Sequence, residues 1–353
     1  MRKMLAIFLA AMLTVLCCSA AFAEETPRKG GELVVAMSFE PDTMNVYATH
    51  LMGDIQAMVV EGLLVPNGDM EYEPVLATEV PTVENGGIVM NDDGTMDITY
   101  HLVDNVYWHC GEKFTSHDVL VTWQTLHDEA WDCESKDGVY DIDSIECPDD
   151  LTVVCHYNTV TPDFAQTLFT FGIMPAHDIE GADMNDPNNG YNSSPCGTGP
   201  YKFVEWNAGE NIKLTRNENY WREGAYMDGV TILFVPDENT RITMLKAGEI
   251  DFTAGISYIN YEQVKDLPGY NTVIHGLNSW RYLTMNWKTP GLDDVNVRRA
   301  ISCAIDKDSL VNQLFAGLPT AWDQPWMPTD PYHVDGFTSE WSYDCLLYTS
   351  PSP

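Results

Sequence analysis

Basic residues are scarce in this chain: 18 Lys and Arg stand against 53 Asp and Glu, a formal net charge of −35 over 353 residues. A surface of that sign repels phosphate backbones, so nucleic acid is excluded as a partner. Past Ala23 no apolar run approaches the ~20 residues that span a bilayer. The cysteines form no Cys-x-x-Cys unit, which argues against a zinc ribbon or a thioredoxin-like pair. Catalytic signatures are missing as well: there is no Gly-x-Ser-x-Gly elbow, no His-Glu-x-x-His pair and no Gly-rich phosphate loop with its Lys. Gly197-Thr198-Gly199-Pro200 is no substitute for one, because the proline and the strand after it deny a phosphate the helix N-terminus it needs. No spacing singles out two of the many acids as a glycoside-cleaving pair. The expectation is a protein that is not an enzyme and carries no cofactor.

What is present begins with Met1-Arg2-Lys3, an uncharged apolar stretch from Met4 to Ala23, and then Glu24-Glu25. A basic head, an apolar middle and Ala21-Phe22-Ala23 describe a cleaved secretory signal peptide over residues 1–23. The rival readings are an uncleaved anchor and a lipid attached at Cys17 or Cys18. An exported chain is expected to pair some of Cys110, Cys133, Cys147, Cys155, Cys196, Cys303 and Cys345, and spacing leaves the pairing open. The remaining length is ample for two or three lobes.

Patterning along the chain mixes hairpins with strand–helix units. Leu33–Met37 reads as a buried strand and residues 52–61 as a helix. Asn67-Gly68 marks a turn, and alternation around Asp93-Gly94 marks a β-hairpin. In "TSHDVLVTWQTLHDEA" Thr115 and Asp118 stand at capping-box spacing, and Val119, Trp123, Leu126 and Ala130 form the inward face. "IDSIECPDDLTVVCHY" is a further hairpin. A strand at 230–235 leads into a helix capped by Asp237 or Asn239, with Ile242 and Leu245 inward and Gly248 at its end. A second unit has a strand at "WRYLTMNW", then a helix with Val297, Ile301, Ala304 and Ile305 inward, then a helix ended by Gly317. This mixture predicts α/β lobes on mixed sheets. Asp141–Glu146 lacks the Gly and distant Glu of a calcium loop, and His101, His109 and His117 read as separate surface histidines beside Cys110. No metal is expected.

Six segments taken together resemble family 5 of the bacterial extracellular solute-binding proteins, the dipeptide, oligopeptide and nickel receptors of ABC importers. They are "GGELVVAMSFEPDTMN", "VEGLL", "GEKFTSHDVLVTWQTL", "GTGPYKFVEWNAGENIKLTRNENYW", "LFVPDENTRITMLKAGEIDF" and "YLTMNWKTPGLDDVNVRRAISCAIDKD", in family order from residue 30 to about 344. Each motif alone is modest; six in register are specific. Val103 and Cys110-Gly111 depart from the family pattern, and Cys110 hints at an atypical disulfide.

The resemblance implies a two-lobed periplasmic-binding-protein-like fold. Residues 24–62 and 191–278 would form the first lobe, 63–190 a subdomain inserted in it, and 279–344 the start of the second lobe. Residues 345–353 match nothing in the family and are expected to be a non-native tail on a truncated chain. Gly197, Thr198, Gly199 and Pro200 would form the turn that re-enters the first lobe, the glycines supplying unusual backbone angles. Tyr201, Phe203, Ile212 and Leu214 would pack the following hairpin onto the core.

The function implied is capture of a short peptide by hinge closure and its delivery to ABC permease subunits, by a monomer in the periplasm or at the cell surface. Thr49, His50 and Leu51 resemble the first-lobe segment lining the pocket, and Ser279, Trp280 and Arg281 begin the crossover into the second lobe. Trp280 could stack on a peptide plane or belong to the core. Arg281 could meet a carboxylate or remain a solvated charge. A receptor for nickel-chelate or oligosaccharide is the second reading and a secreted hydrolase the third.

Overall fold

A computed structural model describes residues 27–49, 53–68, 71–162, 164, 168–186, 189–274, 279–328 and 332–344. Along the chain run β1 (Glu32–Met37), β2 (Leu64–Pro66), β3 (Tyr72–Pro74), β4 (Ile88–Met90), β5 (Met96–His101), α1 (Ser116–His127), β6 (Ile142–Asp149) and β7 (Thr152–Tyr157). The single-turn helices α2 (Leu168–Phe171), α3 (Ala176–Ile179) and α4 (Gly190–Ser193) follow. Then come β8 (Tyr201–Asn207), β9 (Asn211–Arg216), β10 (Gly229–Phe234), α5 (Glu238–Ala247), β11 (Phe252–Thr253), α6 (Val295–Ala304) and α7 (Lys307–Leu314).

The first sheet is mixed, in the order β11-β1-β10-β9-β8. β1 runs parallel to β10 and β11, while β9 and β8 add antiparallel strands on the far side of β10. Alternation along β1 and β10 sends neighbouring side chains to opposite faces. Val35 and Ile232 meet Met44, Ile55 and Val59 on one face, whereas Ala36 and Leu233 meet Leu245 and Ile250 on the other. α5 covers that second face. Asp237 accepts a bond from Thr240 N at 2.8 Å to start it, and Gly248 ends it at φ 70°. Tyr201, Ile212 and Leu214 are buried against the first face with Phe203 partly buried beside them, as the β8–β9 pattern predicts.

Between β1 and β8 the chain builds a second, antiparallel sheet of order β4-β5-β7-β6, joined at Gly94 (φ 89°) by the predicted Asp93-Gly94 turn. α1 lies on it. Its N-terminus is fixed by the bond from Thr115 N to Asp118 Oδ2 at 2.8 Å, and the other oxygen of Asp118 accepts from Ala176 N at 2.9 Å. Val119, Leu126, Ile98, Tyr100, Val153 and Cys155 belong to this larger core.

Several expectations are corrected. Residues 53–61 hold one 3₁₀ turn, Gln56–Met58, instead of a longer helix; residue 52 lies outside the described residues. β-branched Val59 and Val60 are poor helix residues, and Val59 O is taken by Gly199 N at 2.9 Å, which diverts it from any helical ladder. Ala130 lies beyond the end of α1 and is exposed; Val121 and Thr122 take the buried places. Residues 279–286 form no strand, because no partner strand lies beside them among the described residues to complete a ladder. On α6 Val297 and Ala304 are exposed and Ile301 half-buried, while Cys303 is the buried residue.

Candidate functional site

The Gly197–Pro200 turn is where the chain returns from the second sheet to β8, and its neighbours dictate its composition. A Cβ on Gly197 would lie 1.8 Å from Val59 O, and one on Gly199 would lie 2.7 Å from Met58 O. Neither glycine has positive φ. The expectation of unusual backbone angles is therefore wrong. Glycine is required here by the close approach of a second backbone.

Polar groups complete the lock. His109 N donates to Gly197 O at 2.8 Å, Gly197 N donates to His109 Nδ1 at 3.2 Å, and His109 Nε2 donates to Gly199 O at 2.9 Å. That pattern requires a neutral ring protonated on Nε2. Burial lowers the His109 pKa to about 4, helped by the Lys202 charge and opposed by the bond to Gly199 O. With both nitrogens spent on backbone, His109 holds the turn and is not free to act as a base.

On the other side of the turn, Glu61 accepts from Thr198 Oγ1 at 3.0 Å, from Tyr220 OH at 2.5 Å and from Trp221 Nε1 at 3.3 Å. Burial raises the Glu61 pKa, and those three donors pull it back. An open cleft of about 530 Å³ adjoins the lock, lined by Tyr107, His109, Lys202, Asn217, Tyr220 and Trp221 among others.

Next to the lock a sulfur–imidazole cluster forms. Cys110 Sγ lies 3.2 Å from His177 Nε2, and Cys110 N donates to Cys196 Sγ at 3.3 Å. Burial and the adjacent Cys110 thiol push the Cys196 thiol up to about 12. These three residues could hold a metal ion.

The histidines predicted as a surface set separate. His101 ends β5 and is exposed, and His117 is exposed in the first turn of α1. His109 is half-buried in a turn rather than on the strand of His101, because the isolated bridge of Tyr107 with Lys113 folds the chain there.

The residues expected to meet a ligand fall in two places. Thr49 is 9% exposed, and its hydroxyl donates to Asp42 Oδ1 at 2.8 Å. The preceding loop is fixed by Asn45 Nδ2 donating to Asn192 Oδ1 at 2.9 Å and Gln56 Nε2 donating to Thr43 O at 2.7 Å. His50 and Leu51 lie outside the described residues. Ser279 is exposed. Trp280 is 52% exposed and stacks on Tyr282 at 4.2 Å, so it is not core. The Arg281 guanidinium sits 5.6 Å from the Phe315 ring centre. Glu61, His109 and His177 were not anticipated at any site. Contacts spanning 67 to 159 positions leave no local signal in the sequence.

Comparison with known proteins extends these observations. Residues 71–347 match the family model described as "Bacterial extracellular solute-binding proteins, family 5 Middle". The chain is 27% identical over 313 residues to the oligopeptide-binding protein AppA of Bacillus subtilis, covering 85% of this chain and 56% of that protein. The solved structure of Bacillus subtilis AppA in complex with a nonapeptide superposes with a TM-score of 0.78 at 25% identity, over 90% of this chain and 62% of that one. NikZ of Campylobacter jejuni in complex with Ni(L-His) gives a TM-score of 0.77 at 25% identity, over 89% of this chain and 60% of that one. The chain thus spans little more than half the length of the proteins it resembles, and its α/β architecture is that of the two-lobed periplasmic binding proteins.

Proposed function

Since this chain belongs to family 5 of the bacterial extracellular solute-binding proteins, we propose that the whole protein captures short peptides outside the membrane and passes them to the permease of an ABC importer. The observation that carries this reading is the likeness over 90% of the chain to a receptor holding a nonapeptide. The family is one of solute-binding receptors, which supports a binding role over catalysis, and the proposed receptor is an exported monomer released by cleavage after residue 23. No helix of the described residues is long and apolar enough to cross a membrane.

The mechanism is hinge closure. Contacts that a ligand makes with both lobes exist only in the closed form, so binding shifts the population toward closure by its differential affinity for the two forms. A buried peptide needs every amide and both charged ends satisfied. In this arrangement the five-stranded sheet with residues 24–62 and 191–278 is the first lobe, residues 63–190 are its insert, and residues 279–344 open the second lobe. Thr49, His50 and Leu51 line the first-lobe side, Thr49 held in place by Asp42. Ser279, Trp280 and Arg281 approach from the crossover, where the half-exposed Trp280 ring offers an aromatic face to a peptide plane. Gly197–Pro200 remain a packing device with no ligand contact.

The test is mass spectrometry of whatever small molecule the natively purified protein releases on unfolding. Peptides are expected. A nickel-chelate, the second reading favoured by the likeness to the Ni(L-His) receptor, would replace the first.

A further inference from the structure

We propose that Cys110 Sγ, Cys196 Sγ and His177 Nε2 form a binding site for one zinc-type divalent cation, with a solvent oxygen as fourth donor. The three donor atoms lie within 4.8 Å of one another. A tetrahedral zinc with Zn–S near ~2.3 Å and Zn–N near ~2.0 Å holds its donors roughly 3.5 Å apart. The separation of Cys110 Sγ from His177 Nε2, 3.2 Å, is already near that spacing. Two sulfurs and one imidazole are a donor set suited to zinc rather than to calcium or magnesium.

The surroundings orient the ring as metal-binding histidines require. His177 Nδ1 faces Glu112 Oε2 at 3.3 Å, which leaves Nε2 as the lone-pair nitrogen aimed at the sulfurs. The buried Trp108 ring packs edge-on at 6.2 Å and limits rotation of the imidazole. Cys110 is exposed, so an ion has an entry path, and the strongly acidic chain attracts cations. On binding, each thiol releases its proton to solvent and both sulfurs coordinate as thiolates.

The fold gives the site a purpose. Cys110 belongs to the turn after Trp108, His177 to α3, and Cys196 immediately precedes the Gly197–Pro200 lock. One ion would clip three segments at the point where the chain re-enters the five-stranded sheet. A disulfide between the two cysteines would not engage His177.

Cobalt(II) is the probe, titrated into the full chain after reduction and removal of adventitious metal. One equivalent should develop the sulfur-to-metal charge-transfer band and the visible bands of a tetrahedral site, and one equivalent of zinc should abolish them. Zinc should also raise the unfolding midpoint of the reduced protein. Cys110→Ser and His177→Ala should lose the band while keeping the native circular dichroism spectrum, Cys133→Ser should keep it, and Glu112→Gln should weaken affinity by about 10- to 100-fold. Absence of the band, a band unchanged in Cys110→Ser and His177→Ala, or a Cys110–Cys196 disulfide in protein purified without reductant would overturn the proposal.

Discussion

At the scale of single residues, the Gly197–Pro200 turn makes the sharpest demands. Because a Cβ on Gly197 would meet the fixed carbonyl of Val59 at 1.8 Å, Gly197→Ala should destabilise the protein by about 3 kcal/mol or more. Gly224→Ala, with open space around it, should stay within about 0.5 kcal/mol; urea midpoints at neutral pH measure both. His109 adds a pH signature. Its folded pKa of about 4 lies below the ordinary value of 6.5, so the unfolded chain binds more protons between those values. Its contribution is complete above pH 6.5 and is lost as pH falls toward 4, an effect of order 3 kcal/mol. Glu61, whose pKa is raised by burial, acts with the opposite sign, since its charged form is the one that burial penalises. His109→Gln should therefore flatten the acid-side loss of stability, and urea unfolding at pH 7 and pH 4.5 would show it. A steeper loss in the variant would contradict the assignment.

At the scale of elements, local chemistry and tertiary contact divide what the sequence reveals. The α1 capping box, the Asp93-Gly94 hairpin and the Asp237-to-Gly248 limits of α5 were legible because each depends on residues within a turn of one another. The expected helix at residues 52–61 was not found, because the carbonyl that would have continued it bonds to Gly199, 140 positions away in sequence. The Cys110–His177–Cys196 cluster was invisible for the same reason. Asp118 shows both kinds of bond in one side chain: it accepts from Thr115 N in its own helix and from Ala176 N in α3. Asp118→Asn turns an amide group toward one of those donors. It should cost about 1–3 kcal/mol in the unfolding free energy, more than Thr115→Ala at about 1 kcal/mol.

At the scale of the whole molecule, order is unevenly distributed. The two sheets hold the buried clusters, while the described residues of 279–344 carry Trp280, Trp287, Tyr332 and Phe337 in exposed positions and bury only Cys303 among their apolar side chains. Backbone amides of α6 and α7 should therefore exchange with solvent much faster than those of β5 and β7, as hydrogen-exchange mass spectrometry can establish. The family resemblance was legible from six ordered segments, and the match over residues 71–347 agrees with it. The residues proposed to face a ligand, at 49–51 and 279–281, come from segments distant in sequence whose side chains obey no local period. The proposed behaviour is two mobile halves closing over an unmodified solute. Calorimetric titration of the full-length receptor with di- to pentapeptides, followed by mass analysis of the recovered peptides, tests this most directly. Saturable heat from at least one peptide with every peptide returned intact is the predicted result; no heat from any, together with cleavage of any, would contradict it.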